Sequence, residues 1–356
     1  MTPKAKQDSP HRLGLVLTGG TIGSGVSAPG SEDKLVRLLD GAGSEIPELE
    51  LVWKAAPRAD DLELSIRRPI GLLSENLVPN DWIPMARTIR SLVQDDGVEA
   101  VLVLHGTDTM AYTSAAMAFM LSDLQVPVAL TGANRPSDQA GSDAFRNVRD
   151  SLTALRELRP GVFIVFAGRP KSLGRVHLGT RVRKIRASGN AFESVGRRPV
   201  AGIRDGKITR YWTPELPTPV QPRPVIDSRV LSLRLYPGLD LKSTFDSIAA
   251  AKIRGVVLEL YPSFTAPTGR SRFSAPTFVE MCTAKDIPVI ATVANEPVGK
   301  PNLYESRIAL EEAGAEVLHM LPETATVKLM WALGTKRKRD GVLDLMKTPI
   351  ANEMVP

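Results

Sequence analysis

Two stretches of the chain place small hydroxyls beside glycine turns at the ends of apolar runs. The first, Thr18-Gly19-Gly20-Thr21-Ile22-Gly23, follows the run 13–17. Its glycines permit close backbone approach and unusual φ, and its threonines present hydroxyls beside free N–H groups. The G-x-G-x-x-G spacing of a dinucleotide fingerprint is absent, and polar residues 24–31 stand where a phosphate-binding helix would begin. The second stretch, His105-Gly106-Thr107-Asp108-Thr109, follows the unbroken apolar run 101–104, the pattern of a strand buried on both faces of a parallel sheet. A hydroxyl and a carboxylate then lie at the carboxyl end of a central strand, where open α/β sheets bind ligands. Taken singly, each stretch also suits a structural job. The first makes a tight turn; in the second, Thr107 or Thr109 caps a helix and Asp108 favours its first turn.

The elements that must position these groups alternate between strand and helix. The spacing predicts a helix over 81–94 with Trp82, Met85, Ala86, Ile89, Leu92 and Val93 on one face, ended by Gly97. A strand over 126–130 ends in Thr131-Gly132-Ala133-Asn134-Arg135-Pro136, and Ser142-Asp143 caps a helix with an apolar stripe of Phe145, Val148, Leu152 and Leu155. Another buried strand covers 162–166. Residues 69–79, around Ser74-Glu75-Asn76, and the glycine-rich basic stretch 168–190 read as loops, and 200–211 as a hairpin about Asp205-Gly206. This is the pattern of a mostly parallel α/β sheet. The proline-rich, nearly uncharged segment 213–224 cannot join a central strand or helix and reads as a linker. Beyond it come strands at 229–235, 255–260 and 287–293, helices at 243–251, 276–284 and 303–313, and a final helix at 323–333. The expected division is therefore an N-terminal domain 1–212, a linker 213–228 and a smaller C-terminal α/β domain 229–356.

Composition narrows the function classes. The 356 residues carry 45 Lys and Arg against 39 Asp and Glu, a formal charge of +6. The basic clusters 181–186 and 336–339 read as solvated faces rather than a nucleic-acid surface, because aromatics are only 5% and none interleaves with them. Cys282 is the only cysteine, so no disulfide forms within the chain. With it, His11, His105, His177 and His319 offer no metal-ligand spacing, and neither metal nor cofactor is expected. No run approaches the roughly 20 apolar residues of a membrane span, and the polar start lacks a signal peptide's apolar core, so a cytoplasmic protein is expected.

Taken together, Thr18-Gly19-Gly20-Thr21-Ile22 and His105-Gly106-Thr107-Asp108-Thr109-Met110 resemble the two signatures of the bacterial-type L-asparaginase/glutaminase family. The resemblance continues, in order, through 130–138, Arg181-Val182-Arg183-Lys184, Leu235-Tyr236-Pro237-Gly238 and Lys328-Leu329-Met330-Trp331-Ala332-Leu333. It is nearer to cytoplasmic type I members and to their relatives in tRNA-dependent amidotransferases than to secreted type II enzymes. It implies the family's two-domain fold, with a larger N-terminal, mostly parallel sheet flanked by helices and a smaller C-terminal α/β domain. It implies Thr21 as nucleophile, and Thr107, Asp108 and Lys184 as a second group in which lysine polarises a hydroxyl and aspartate orients the lysine. Such a lysine needs a lowered pKa, toward which Arg181, Arg183 and Arg186 would push. By the same resemblance Ser74 and Glu75 bind the substrate's α-amino and α-carboxylate groups, beside Gly106 and Asp108. Glu305 matches a carboxylate that reaches a neighbouring protomer's site, which implies a homodimer or homotetramer.

The sequence departs from the family in three places. The tyrosine expected on the mobile loop after the first motif is missing, since the first tyrosine after Thr21 is Tyr112. Tyr261-Pro262-Ser263-Phe264-Thr265-Ala266-Pro267 replaces a glycine/asparagine-rich loop, and Asn295-Glu296-Pro297 replaces a serine-rich one. The expected function is hydrolysis of an asparagine-type side-chain amide to acid and ammonia. The alternatives are an ammonia-supplying glutaminase component, an amidase acting on a larger or modified asparagine, and a catalytically weak binding protein.

Overall fold

The apolar run that precedes the second motif becomes the middle of a sheet. A computed structural model of the chain describes residues 11–20, 22, 24–26, 36–38, 47–56, 62–168, 172–218, 220, 223–269, 272–294 and 304–355. The chain forms β1 (His11–Leu17), β2 (Ser24–Val26), β3 (Val36–Leu38), α1 (Pro47–Ala55), β4 (Leu62–Arg67), α2 (Trp82–Gln94), β5 (Ala100–Leu104), α3 (Met110–Met120), β6 (Pro127–Thr131), α4 (Ala144–Leu155) and β7 (Gly161–Phe166). Then follow β8 (Gly174–Leu178), β9 (Val182–Lys184), β10 (Phe192–Ser194), β11 (Ala201–Arg204) and β12 (Lys207–Arg210). The remainder is β13 (Val230–Arg234), α5 (Leu241–Ala250), β14 (Gly255–Glu259), α6 (Ala275–Thr283), β15 (Val289–Thr292), α7 (Glu305–Glu312), β16 (Glu316–Val317), α8 (Pro322–Thr335) and α9 (Arg339–Lys347).

Eight strands form the first sheet in the order β12-β11-β8-β7-β6-β5-β1-β4. From β4 to β7 the pairs are parallel; β8, β11 and β12 extend the sheet antiparallel. Every residue of β5 and β6 is buried, as unbroken apolar runs require. Leu17 pairs with Leu104, and Leu104 with Thr131, so both motifs leave the sheet at one level, side by side. The hairpin about Asp205-Gly206 forms as expected, with both residues at positive φ (50° and 73°). The second sheet, β13-β14-β15-β16, is entirely parallel.

α3 carries no polar face because it has no solvent face to match: ten of its eleven residues are buried, the sheet on one side and α8 on the other. Phe119 stacks on Trp331 at 5.9 Å between ring centroids, and each such buried aromatic contributes about 1.5–3 kcal/mol of hydrophobic stabilisation. α8 also packs against β13 and β14, so it joins the two sheets.

Several sequence expectations are corrected. Of the stripe expected on α4, Val148, Leu152 and Leu155 are buried, but Phe145 is 43% exposed, and the small and polar residues Asn147, Ser151 and Ala154 are buried as well. The stretch 168–190 holds two strands, β8 and β9; in β8, Val176 and Leu178 alternate inward among charged neighbours that hid the pattern. A further helix, α9, follows α8, and the basic cluster 336–339 connects them. Residues 213–228 contain neither helix nor strand among the described positions. No helix of the described residues is long and apolar enough to cross a membrane.

Candidate active site

Three loops meet where β1 and β5 end. A Cβ on Gly20, whose φ is +84°, would fall 2.4 Å from the Gly106 backbone, and one on Gly106 would fall 2.4 Å from Ser74 Oγ. Only glycine at both positions lets these loops touch. Thr18 fixes the first loop by donating its backbone N–H and its hydroxyl to the Leu104 carbonyl (3.1 and 2.9 Å). Thr109 fixes the third: its hydroxyl donates to the Ser74 carbonyl at 2.9 Å. Thr109 therefore occupies the N-cap position of α3 without capping it by its side chain, contrary to the capping expectation. Ser74 is buried and Glu75 exposed in a single helical turn, 74–76. Thr21 lies outside the described residues, between Gly20 and the buried Ile22. Asn295-Glu296-Pro297 lies outside them too.

Lys184, the last residue of β9, reaches across to the second motif. Its Nζ donates to Thr107 Oγ1 at 2.8 Å and to Asp108 Oδ1 at 2.6 Å. Thr107 is buried, the lysine side chain is 17% exposed and the aspartate 60% exposed, so one ammonium bridges a buried hydroxyl and a solvent-facing carboxylate. The structure thus brings together Thr107, Asp108 and Lys184, and beside them Gly106 and Ser74. It does not bring Glu305 to them: that residue is exposed in the first turn of α7, and no hydrogen bond or ion pair among the described residues joins it to the group.

The arginines expected to crowd Lys184 face elsewhere. Arg181 is buried and donates to the carbonyls of Asn352 and Met354. Arg183 forks onto Glu323 Oε1 (3.0 and 2.6 Å) and donates to the Ala294 carbonyl. Only Arg186 lines the open cleft beside Lys184, with Asp108, Tyr112 and Glu323. The 181–186 cluster is therefore largely buried or paired rather than a solvated face.

His105 packs behind the site. Trp82 Nε1 can only donate to Thr113 Oγ1 (3.1 Å), so the Thr113 hydroxyl donates to His105 Nε2 (3.0 Å), and His105 Nδ1 donates to the Gly106 carbonyl (2.6 Å). Complete burial pushes its pKa down to about 4, which keeps the ring neutral and structural near pH 7. Cys282 is equally inert, burial having pushed its thiol up to about 12.

A polar network that sequence reasoning missed supports the same corner. Asp143, read as a helix cap, instead accepts from the Asn134 N–H (2.9 Å) and side-chain amide (3.0 Å) and from Asn147 (3.1 Å). Burial raises the Asp143 pKa, against the pull of those hydrogen bonds. Asn147 Nδ2 donates to the Gly132 carbonyl (2.8 Å), and Asn134 Nδ2 to those of Gly168 and Gly189 (3.2 and 3.1 Å). The i, i+4 spacing of Asp143 and Asn147 was the available signal. Glu323 was missed altogether, standing 140 residues from its partner.

Comparison with known proteins agrees with this geometry. A family model described as asparaginase, N-terminal, matches residues 12–216. One component of a glutamyl-tRNA(Gln) amidotransferase, from Methanosphaera stadtmanae, is 30% identical over 362 residues, covering 99% of this chain and 78% of that one. An L-asparaginase from Thermococcus kodakarensis is 32% identical over 340 residues, covering 90% of this chain and 99% of that one. The solved structure of the thermostable L-asparaginase from Thermococcus kodakarensis superposes with a TM-score of 0.80 at 30% identity, over 97% of this chain and 99% of that one.

Proposed function

The chain belongs to the asparaginase family of amidohydrolases, and we propose that it hydrolyses an asparagine-type side-chain amide with Thr21 as nucleophile and Thr107, Asp108 and Lys184 as the proton-handling group. The observation that carries this assignment is the lysine held between a buried hydroxyl and a carboxylate, at 2.8 and 2.6 Å. In this scheme the Thr21 hydroxyl adds to the amide carbon, and its proton passes through the Thr107–Lys184 group to the departing ammonia. The C–N bond breaks, and water then releases the acid from the threonine ester. Asp108 balances the lysine's charge and, with Ser74 and Glu75, receives the substrate's ammonium end.

Ammonia release from L-asparagine, L-glutamine, their D-isomers and an asparaginyl dipeptide tests the scheme. The parent is expected to turn over at least one of them, and Thr21→Ala, Thr107→Val and Lys184→Met to lose orders of magnitude in kcat while remaining folded. Parent-like rates in all three variants would sink it.

Two finer readings go with this proposal. The missing lid tyrosine leaves the small residues 23–28 nothing large to press on a small ligand, so a larger asparagine amide is the preferred substrate. Preference for free L-asparagine by a hundredfold or more, about 2.7 kcal/mol, contradicts that. A glutamine-hydrolysing component is the second reading, favoured by the similarity to an amidotransferase component; preference for glutamine and co-purification with a partner chain would select it. In either case we take the chain to be cytoplasmic and a homodimer or homotetramer, with domains 1–212 and 229–356 flanking the linker 213–228. A fully active monomer by light scattering overturns the oligomer and the role of Glu305.

A further inference from the structure

β9 is a weak platform for a lysine that must be placed accurately. It has three residues and, among the described residues, pairs only with β10, in a two-stranded sheet separate from the eight-stranded one. Such a ribbon is marginal without outside support. Support comes residue by residue from the C-terminal half. The Thr180 hydroxyl donates to the Ala351 carbonyl at 2.8 Å, and Thr324 donates back to the Thr180 carbonyl at 2.8 Å. Arg181 holds the carbonyls of Asn352 and Met354, and Val182 is buried in the hydrophobic cluster that includes Val327 and Trp331 of α8. Arg183 ends the series, forked onto Glu323 in the first turn of α8 and bonded to the Ala294 carbonyl at 3.1 Å. Lys184 is the next residue.

We propose that the Arg183–Glu323 ion pair is a strut that sets Lys184 against Thr107 and Asp108, so that the C-terminal half of the chain governs the catalytic group in cis. The inference rests on the role proposed above for Lys184. Arg183 and Glu323 are positioning residues: neither bonds to Thr107 or Asp108. Nε and Nη2 converge on the one oxygen Oε1, which holds Arg183 at a fixed distance from the start of α8 and so steadies the backbone from which the lysine extends. Lys184 Nζ keeps two bonds shorter than 3 Å, so a shift of about 1 Å in β9 breaks both. Glu323 has a second tie to the site. Its other oxygen, Oε2, is buried without a hydrogen-bond partner among the described residues, while its charge helps raise the pKa of Tyr112 after the larger effect of burial. Tyr112 lies in the first turn of α3, four residues beyond Asp108, and Glu323 lines the same cleft as Tyr112, Asp108 and Lys184.

Steady-state kinetics on the best amide of the panel, with the full-length protein, tests the strut. Arg183→Lys keeps the charge and loses the fork, while Glu323→Gln keeps an acceptor and loses the charge. Each is expected to lower kcat by about tenfold to a hundredfold with KM within about twofold, and guanidinium ion to restore part of the kcat lost in Arg183→Ala. Should Arg183→Ala fail to fold, the two milder variants decide. Parent-like kcat in both, or losses that follow the fall in Tm and resist guanidinium, overturns the strut. Lys184→Met separates the two levels. If it keeps parent turnover, the catalytic assignment itself fails; if it is dead while Arg183→Lys and Glu323→Gln run at the parent rate, only the strut fails.

Discussion

At the ends of β1 and β5, Gly20 meets the Gly106 backbone and Gly106 the Ser74 side chain, tied by the short hydroxyls of Thr18 and Thr109, whereas Lys184 arrives on a short arm held by side chains reaching into the C-terminal half. The first corner has little that can adjust: its spacing is set by sheet register, by the absence of two Cβ atoms and by two threonine hydroxyls bonded to backbone. The arm is adjustable at every residue from Thr180 to Arg183. A rigid corner suits groups that must meet one small reacting centre. An adjustable arm lets the rest of the chain report on whether it has folded. The contrast predicts that damage to the corner abolishes chemistry with little warning, while damage to the arm appears first as lost stability and graded activity.

The largest expected effect is at the root of the arm. Lys328 and Glu353 are fully buried; the lysine also donates to the carbonyls of Met346 and Thr348, and Glu353 accepts from the Ile350 and Ala351 amides. Lys328→Met leaves a buried carboxylate without its cation and should cost about 3–5 kcal/mol in urea unfolding, with activity falling in step. A parent-like midpoint would remove the claim that the 348–355 tail supports the arm.

Next comes acid, which acts on both regions through different histidines. His105 backs the corner; His177, bonded to Ser194 on β10, backs the arm. Burial lowers their pKa values to about 4 and about 3 from 6.5. A histidine with a depressed folded pKa stabilises the fold above its unfolded pKa, and that stability is lost as pH falls from 6.5 through the folded value. For His105 this amounts to roughly 3 kcal/mol by pH 4. Unfolding midpoints measured from pH 7 to 4 should fall steadily, and His177→Gln should flatten part of that fall. A flat profile in the parent would show that neither ring is buried neutral.

Gly106→Ala sharpens the corner. The added methyl meets Ser74 Oγ, and we expect kcat/KM to drop at least a hundredfold, about 2.7 kcal/mol, with the arm unaffected. Retained activity would mean that the corner can adjust after all. The smallest effect is Thr109→Val, which deletes one hydroxyl bond to the Ser74 carbonyl and should cost about 1 kcal/mol in unfolding free energy. A change of several kcal/mol there would make the corner depend on side chains as heavily as the arm does.

These two regions also differ in how far the sequence betrayed them. Each motif of the corner is local, an apolar run followed by a glycine turn and threonines within a few residues, and the parallel strand ends bring the two together. Lys184 was legible only as part of a family-like run, because its partners lie 76 and 77 positions away. Glu323 and the 348–355 tail left no local signal at all, since an ion pair spanning 140 residues has no periodicity to read. Thr109 misled because capping is a sound local rule but the carbonyl of a neighbouring loop, at Ser74, took its hydroxyl first, and Phe145 because it stands exposed at the start of a helix whose other stripe residues are buried.

The near-complete burial of α3, with Tyr112 alone exposed, has a consequence for how the protein is made. Phe119 and the Trp331 ring it stacks on stand roughly two hundred residues apart. As the chain leaves the ribosome, the first sheet and α3 emerge long before α8 exists to cover that helix. Until then a largely apolar helix surface faces water, the condition under which nascent chains associate wrongly or recruit chaperones. The loop closed by this contact is long, which predicts that docking of α8 is a late step of folding. The same event brings Glu323 to Arg183, so an unfinished chain cannot complete the arm that carries Lys184. On the role proposed for Lys184, synthesis order then predicts that a chain truncated before α8 releases no ammonia.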